Sequence, residues 1–352
     1  MSEPQYTNPL LILIGVLVVL AVGIVLHEMQ SILLPFVISV FLSIIFGPLV
    51  VSLKSRNVPM VISLGLVLLS MALVLLLFSL ILYSSTESFL REFPKYERRL
   101  NLLVTGIFEK LANTATDIGF NVEEIRWHEA LQLSSITSAI TSGVGTLINI
   151  FSNITLILLF MMFMLAGSGE LGAKVKSAFP ARQANQFSTI ISNIETQVRQ
   201  YLVTKTLVSA GTGAMAFLIL WITGVDFALV WGFLSFLLNF IPNIGSIFAI
   251  AMPVTVSFLQ FDTMTRPILV LILLAVMQTL MGNVLEPKLM AFRLNMSPLV
   301  VLVSLIFWGW LWGVWGMILA VPIMATMKIV FENITALKPL AILMSSKPPS
   351  AS

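Results

Sequence analysis

Asn239 and Asn243 bracket Pro242 in a stretch, 227–260, that is otherwise almost wholly apolar. Proline removes a backbone donor and interrupts the helical ladder. The run Ile241-Pro242-Asn243-Ile244-Gly245 therefore sets amides beside freed backbone groups. Broken helices expose terminal N–H and C=O groups that can meet an anion or a cation. The chemistry on offer is recognition of a polar solute or ion, although the same residues also suit a structural turn. A second cluster holds Gln278, Asn283, Glu286, Pro287 and Lys288. A carboxylate at a membrane mouth can bind a cation or exchange a proton when burial raises its pKa; equally, Glu286 and Lys288 can answer each other. Trp308, Trp310, Trp312 and Trp315 crowd around Gly309 and Gly313. They read either as an interfacial aromatic belt or as the wall of a pathway.

Other polar residues read more simply. Lys205 opens the apolar segment 202–223 with Thr204, Thr206, Ser209 and Thr212 beside it. Lys205 and Lys288 are expected to be interfacial charges, with Lys205 extending its head toward water. Gly211 and Gly213 allow another helix to approach closely, and Pro253 and Pro322 are expected at hinge or packing positions. Catalysis finds no support: no metalloprotease motif, phosphate loop or nucleophile elbow is present. The chain has no cysteine and only His27 and His128 as histidines, which excludes thiol chemistry and a multi-histidine metal site. No metal, no cofactor and no ATP-driven cycle is expected of this chain alone.

The elements that must position these residues are membrane helices. Hydrophobic residues make up 58% of the chain and charged residues 10%, with a mean hydropathy of +1.02. A soluble domain could not hide so much apolar surface, so the lipid bilayer is the main partner. The small net charge of +3, spread over short loops, argues against nucleic acid. A crossing needs about 20 apolar residues. The candidates are 9–26, 31–51, 58–83, 144–166, 202–223 and 268–283, plus two longer, interrupted stretches at 227–260 and 298–330. With no basic residue before Lys54, 9–26 is expected to be a retained span, not a cleaved signal.

Region 84–135, with many charges of both signs, is polar enough to lie outside the bilayer. Leu100, Leu103, Ile107 and Leu111 stand at helical spacing there, and Asn121 with Glu124 suits a capping box. In 167–201, Phe187, Ile190, Ile191, Ile194, Val198 and Tyr201 form one apolar stripe, which predicts a helix in the membrane interface running into the next span. The expected divisions are N-terminal transmembrane helices (1–83), an extracytoplasmic helical region (84–143), a transmembrane plus interfacial helix (144–201), a transport core (202–335) and a cytoplasmic tail (336–352).

Basic residues in short loops set the orientation. Lys54 and Arg56, the Lys174 to Arg199 group, Lys288 with Arg293, and Lys338 with Lys347 all fall inside if both termini are cytoplasmic. That arrangement makes 227–260 and 298–330 leave by the face they entered. The chain then reads as all-α and polytopic, with about six full spans and two broken re-entrant hairpins. The hairpins turn at 241–245 and 309–313 and form an inverted repeat with a midplane solute site. A gapless alignment of 234–253 with 303–322 pairs Ser235 with Ser304, Ala251 with Ala320 and Pro253 with Pro322. Apolar length alone also permits each stretch to be a pair of full spans.

The run from Gly224 through Asn239-Phe-Ile-Pro-Asn-Ile-Gly245 resembles the signature of the autoinducer-2 exporter family, also called PerM-like permeases. Gly282-Asn-Val-Leu-Glu-Pro-Lys-Leu-Met290, Ser297-Pro-Leu-Val-Val301, Ser304-Leu-Ile-Phe-Trp-Gly-Trp310 and Gly316-Met-Ile-Leu-Ala-Val-Pro322 carry the same likeness. The chain departs from it at Ala291 and Asn295, where relatives often have glycine, and at Met252, where a second proline is common. The resemblance implies a bacterial inner-membrane permease that forms homo-oligomers, a pentamer being one candidate. It also implies a small-solute substrate, with autoinducer-2 the named case and sodium/proton exchange assigned to some relatives. The expected function is export of a small polar solute along a pathway between the hairpins. The alternatives are a cation/proton antiporter centred on Glu286, or a membrane scaffold that uses 84–135 to bind an envelope partner.

Overall fold

The computed structural model describes residues 9–74, 76–77, 80, 91–92, 94–96, 98–99, 102, 105–106, 153–289 and 295–346. The amphipathic helices expected between 100 and 143, the start of the 144–166 span and the tail beyond 346 lie outside the described residues. What is described is all-α, with one isolated bridge between Met296 and Ser345. The helices are α1 (Pro9–Glu28), α2 (Gln30–Ser55), α3 (Met60–Val74), α4 (Ile154–Ala178) and α5 (Ala181–Thr223). They continue with α6 (Ala228–Leu238), α7 (Ile244–Gln260), α8 (Thr265–Thr279), α9 (Pro298–Asn333) and α10 (Lys338–Leu343). Among the described residues, four helical runs are long and apolar enough to cross a membrane: Gln30–Ser55, Ala181–Thr223, Thr265–Leu289 and Pro298–Asn333. Their outward faces carry large apolar side chains such as Ile222, 76% exposed. Such a surface belongs in lipid.

The chain packs as two compact units. The first gathers Met1–Leu68, Ile154–Thr204 and Met290–Ser352. In it, α1 and α2 meet at a single residue, Met29, with φ −87° and ψ 10°. Helical hydrogen bonds run into and out of the junction, from Met29 N–H to Val25 O and from Leu33 N–H to Met29 O. The two helices are thus joined by one turn residue, where the helical ladder is interrupted. Further along, α2 packs on α4, where the Ser39 and Ser43 hydroxyls approach the Met164 sulfur at 3.8 Å. Val198, Tyr201 and Leu202 of α5 are buried against Phe41 of α2 and Leu319 and Val321 of α9, with Ile194 beside them. The sequence laid this apolar stripe in the membrane interface. From Ile194 onward it is covered by protein instead, because α2 and α9 present matching apolar faces.

No break separates the polar and apolar halves of α5, which runs 43 residues. At 1.5 Å per residue it is about 65 Å long, twice the roughly 30 Å of hydrocarbon it could occupy.

Within α9, Trp312 and Gly313 leave helical geometry, Gly313 with φ +63° and ψ −145°. The arms on either side fold back on each other. The Ser304 hydroxyl reaches the Ala320 carbonyl at 3.3 Å, a pair that a straight helix would hold about 24 Å apart. A Cβ on Gly316 would overlap the Trp308 carbonyl oxygen, and one on Gly309 would meet Met317 at 2.8 Å. The feet of this hairpin are tied down. Ser297 N–H donates to Met344 O, Ser346 N–H to Asn295 O, and the buried Lys328 ammonium to Asn295 O at 3.0 Å.

The second unit joins Leu69–Asn153 with Lys205–Leu289. Gly224, at φ +75°, ends α5 with Val225 N–H donating to Leu220 O and Gly224 N–H to Trp221 O. This is a Schellman cap, and glycine is the residue that adopts it without strain. α6 and α7 then form a second fold-back pair with its turn at 239–243. A Cβ on Gly245 would overlap the Leu238 carbonyl oxygen. On α5, Gly213 lies so close to α6 that an added Cβ would sit 2.7 Å from Gly232 O, a backbone-to-backbone approach that small residues permit. Ala216, Leu220, Val254, Val256, Val270, Leu274 and Met277 make the core, joined by Tyr96.

Tyr96 tethers the region before the second unit's hairpin. Its hydroxyl donates to Asp226 at 2.6 Å, and Asp226 is also fixed by its N–H to the Gln260 amide oxygen and by Trp231 Nε1 donating to its carbonyl. Burial first, then the Asp226 hydrogen bond and charge, hold the phenol above its ordinary range. A raised acid pKa contributes stability that is whole below about pH 10 and is lost at higher pH as the undocked phenol ionises. Tyr96→Phe is expected to cost about 1.5–3 kcal/mol, the range for hydrogen bonds to charged groups. It should also remove that alkaline step from thermal melts in detergent. A melt with the step intact would show that the bond contributes little.

Candidate transport site

One face of α5 organises the polar groups of the second unit. Lys205, Ser209 and Thr212 follow at helical spacing and are all buried. The Asn239 amide, at the start of the α6–α7 turn, donates to the Ser209 hydroxyl at 3.0 Å. One turn away, the Lys205 ammonium donates to Glu286 at 2.5 Å, with side-chain exposures of 4% and 20%. Glu286 reaches Lys205 because α8 does not stop at Thr279. It continues through a π-helical turn, Leu280–Leu285, into Glu286–Leu289. A π turn inserts one extra residue and rotates all that follows, and such turns concentrate at functional sites.

The turn itself is strained. Asn243 has φ +61° and ψ −54°, and Ile244 N–H donates to Pro242 O at 2.7 Å. This is a γ-turn of the rare positive-φ kind. A non-glycine residue held there stores energy that function can use. Asn243 is exposed, Pro242 half-buried and Gly245 buried.

The sequence candidates divide accordingly. Asn239, Glu286 and Lys205 come together along α5. Lys205 is buried and paired where an interfacial head group was expected, because Glu286, which sequence left to answer Lys288 or other charges at the interface, supplies its partner. Gln278 is half-buried, and Asn283 and Lys288 are exposed. Gly211 faces Met281 at ordinary contact distance, while Gly213 makes the closer approach. Pro253 and Pro322 are fully buried in the second arms of their hairpins. Ser209 was named by sequence only as a neighbour of Lys205; its role as the acceptor for Asn239 was not foreseen.

In the first unit, the α9 tip rests on the end of α1. Trp312 Nε1 donates to Leu26 O at 3.2 Å. His27 Nδ1 lies 3.2 Å from Leu311 O, so Nδ1 carries the proton, since a carbonyl only accepts. Trp310 stacks on the His27 ring at 6.0 Å. Trp308 and Trp312 are buried and in ring contact at 4.9 Å, while Trp310 is 67% exposed.

Long apolar helices, two fold-back helix pairs and a buried polar seam define a polytopic α-helical membrane protein. Residues 10–336 match the AI-2E family transporter, and the chain belongs to that family of transport proteins. It is 33% identical over 336 residues to the AI-2 transport protein TqsA of Escherichia coli K12, covering 96% of this chain and 95% of that one. It is also similar to the putative transport protein YhhT of the same organism, 30% identical over 99% of this chain and 98% of that one. A putative transport protein of Haemophilus influenzae is 31% identical over 91% of this chain and 92% of that one.

Proposed function

We propose that this chain exports a small polar solute across a bacterial inner membrane without hydrolysing ATP, with autoinducer-2 the first candidate. The observation that carries this reading is the length of the hairpin arms. α6 has 11 residues and α7 has 17, about 17 and 26 Å of helix, against roughly 30 Å of hydrocarbon. In α9 the arm 298–311 measures about 21 Å. Three of the four arms are thus shorter than a crossing, which suits hairpins that enter and leave by one face; the second arm of α9, 314–333, reaches about 30 Å. Non-helical backbone at membrane depth is tolerated only where protein buries it or where it lines a cavity.

The hairpins also share parts that support an internal repeat. Each has a buried serine in its first arm, Ser235 or Ser304, and a positive-φ turn residue, Asn243 or Gly313. Each then has a glycine against the opposite carbonyl, Gly245 or Gly316, and a buried proline, Pro253 or Pro322. Inverted repeats of this kind put solute groups near broken helices. Both termini in the cytoplasm, and assembly into a homo-oligomer, belong to the same reading.

The buried Lys205–Glu286 pair favours a second reading, cation/proton antiport, because ionisable pairs inside membrane proteins often serve proton or ion relays. Purified protein in liposomes separates the two. Autoinducer-2 flux that persists without a pH or sodium gradient supports the exporter. Sodium-driven proton movement with no autoinducer-2 flux supports the antiporter and overturns the first reading.

A further inference from the structure

We propose that the fold-back tip of α9 is a binding subsite for a small, neutral solute rich in oxygen acceptors, held by the indole N–H groups of Trp308 and Trp315. This deepens the transport reading and rests on it. Trp308 is 8% exposed, and neither its Nε1 nor that of Trp315 has an acceptor among the described residues. A buried donor without a partner is costly, and tryptophan ordinarily finds one when buried. Trp312 follows that rule through Leu26 O and Trp231 through Asp226 O. The two exceptions flank one turn.

The fold-back register places their backbones at neighbouring levels, with Trp308 buried and Trp315 half-buried. Trp308 lies against Gly316, so Trp315 stands one residue from its level on the opposite arm. Around Trp308, the Phe307 ring lies at 5.3 Å and the Trp312 ring at 4.9 Å. Aromatic faces accept the C–H surface of an oxygenated carbon chain, and the indole N–H groups donate to its hydroxyl or carbonyl oxygens. The tip is also held in place, through Trp312 on Leu26 and His27 on Leu311. A pre-ordered site loses less on binding.

The test uses full-length protein in detergent, labelled with 5-fluorotryptophan and followed by fluorine NMR. Phenylalanine variants assign the seven tryptophan signals, by elimination where a variant does not fold. The probes are autoinducer-2 and ribose, a neutral polyhydroxylated solute. Saturable shifts of the Trp308 and Trp315 signals, with Trp221 and Trp231 unmoved, support the subsite. Trp308→Phe and Trp315→Phe keep an aromatic ring but lose the donor; each is expected to weaken binding about three- to tenfold, while Trp221→Phe does not. No saturable shift with either probe overturns the proposal, as do shifts shared by all the tryptophans. Flux in liposomes without these shifts leaves transport standing and removes the subsite. Shifts without flux keep the subsite and remove the transport reading.

Discussion

Gly316→Ala and Gly245→Ala are expected to give the largest loss of folded protein of any alanine substitution in the chain. In each hairpin the glycine has the backbone carbonyl of the opposite arm where a Cβ would go, that of Trp308 or Leu238. Gly316 also has the Trp312 Cβ at 3.1 Å, and Gly245 the Ile241 Cβ at 3.3 Å. Backbone cannot swing aside as the end of a side chain can, so the arms must separate. Overpacking a tight site costs about 1–3 kcal/mol and sometimes more. Here the separation would also strip the Ser304–Ala320 bond from the α9 pair. Gly65 in α3 is the control, since a methyl group added there would meet nothing within 4 Å. Alanine at that position should be neutral or raise stability by about 0.5–1 kcal/mol through helix propensity. Size-exclusion profiles and thermal melts in detergent make the comparison. If Gly316→Ala melts like Gly65→Ala, the close approach in α9 is not what holds the arms together.

Breaking the Lys205–Glu286 pair from one side should come second. Glu286→Gln leaves a buried ammonium without its counter-charge, and removing one partner of a buried pair costs about 3–5 kcal/mol. The partial exposure of Glu286 (20% for its side chain) places the loss at the lower end. Lys205→Met with Glu286→Leu removes both charges, and such replacements are often neutral or stabilising. The double variant should therefore fold at least as well as Glu286→Gln. If the pair serves transport, the double variant is stable but carries no solute or cation flux in liposomes. A stable double variant with full flux would make the pair a packing feature only. The parent protein, Lys205→Met, Glu286→Leu and the double variant form a double-mutant cycle, and a coupling near zero would show that the two charges do not depend on each other.

Much of this architecture was legible from local pattern. Apolar length found α1, α2 and α5 to within a few residues in their lipid-suited parts, because hydrophobic composition is a property of each segment alone. Pro242 and the glycines at 309 and 313 located both turns, since helix breakers act on their own neighbours. What sequence could not supply was register between distant segments. Ser209 and Asn239 meet through the placement of α6 on α5. Lys205 and Glu286 are 81 positions apart, and only the extra residue of the π turn brings the carboxylate round. Gly316 looks like any other glycine until Trp308 is placed opposite it. The shortness of the junction at Met29 was hidden as well: two apolar runs with a polar interval read as two spans and a short loop, and the interval proves to be a single turn residue.

Two tethers hold the segment around residue 96 to the feet of the α6–α7 pair, and they differ in kind. Arg99 donates to the Phe261 carbonyl at 2.9 Å and pairs with Asp262 at 2.5 Å, whose side chain is 90% exposed, whereas Tyr96 is buried in the core cluster and its bond to Asp226 is part-buried. Dissolved ions screen charges at the surface over about 8 Å at physiological strength and about 3 Å in molar brine. A cell whose surroundings swing between dilute and saline water would thus loosen one attachment and leave the other unchanged, so the grip on the hairpin weakens by a step and does not let go.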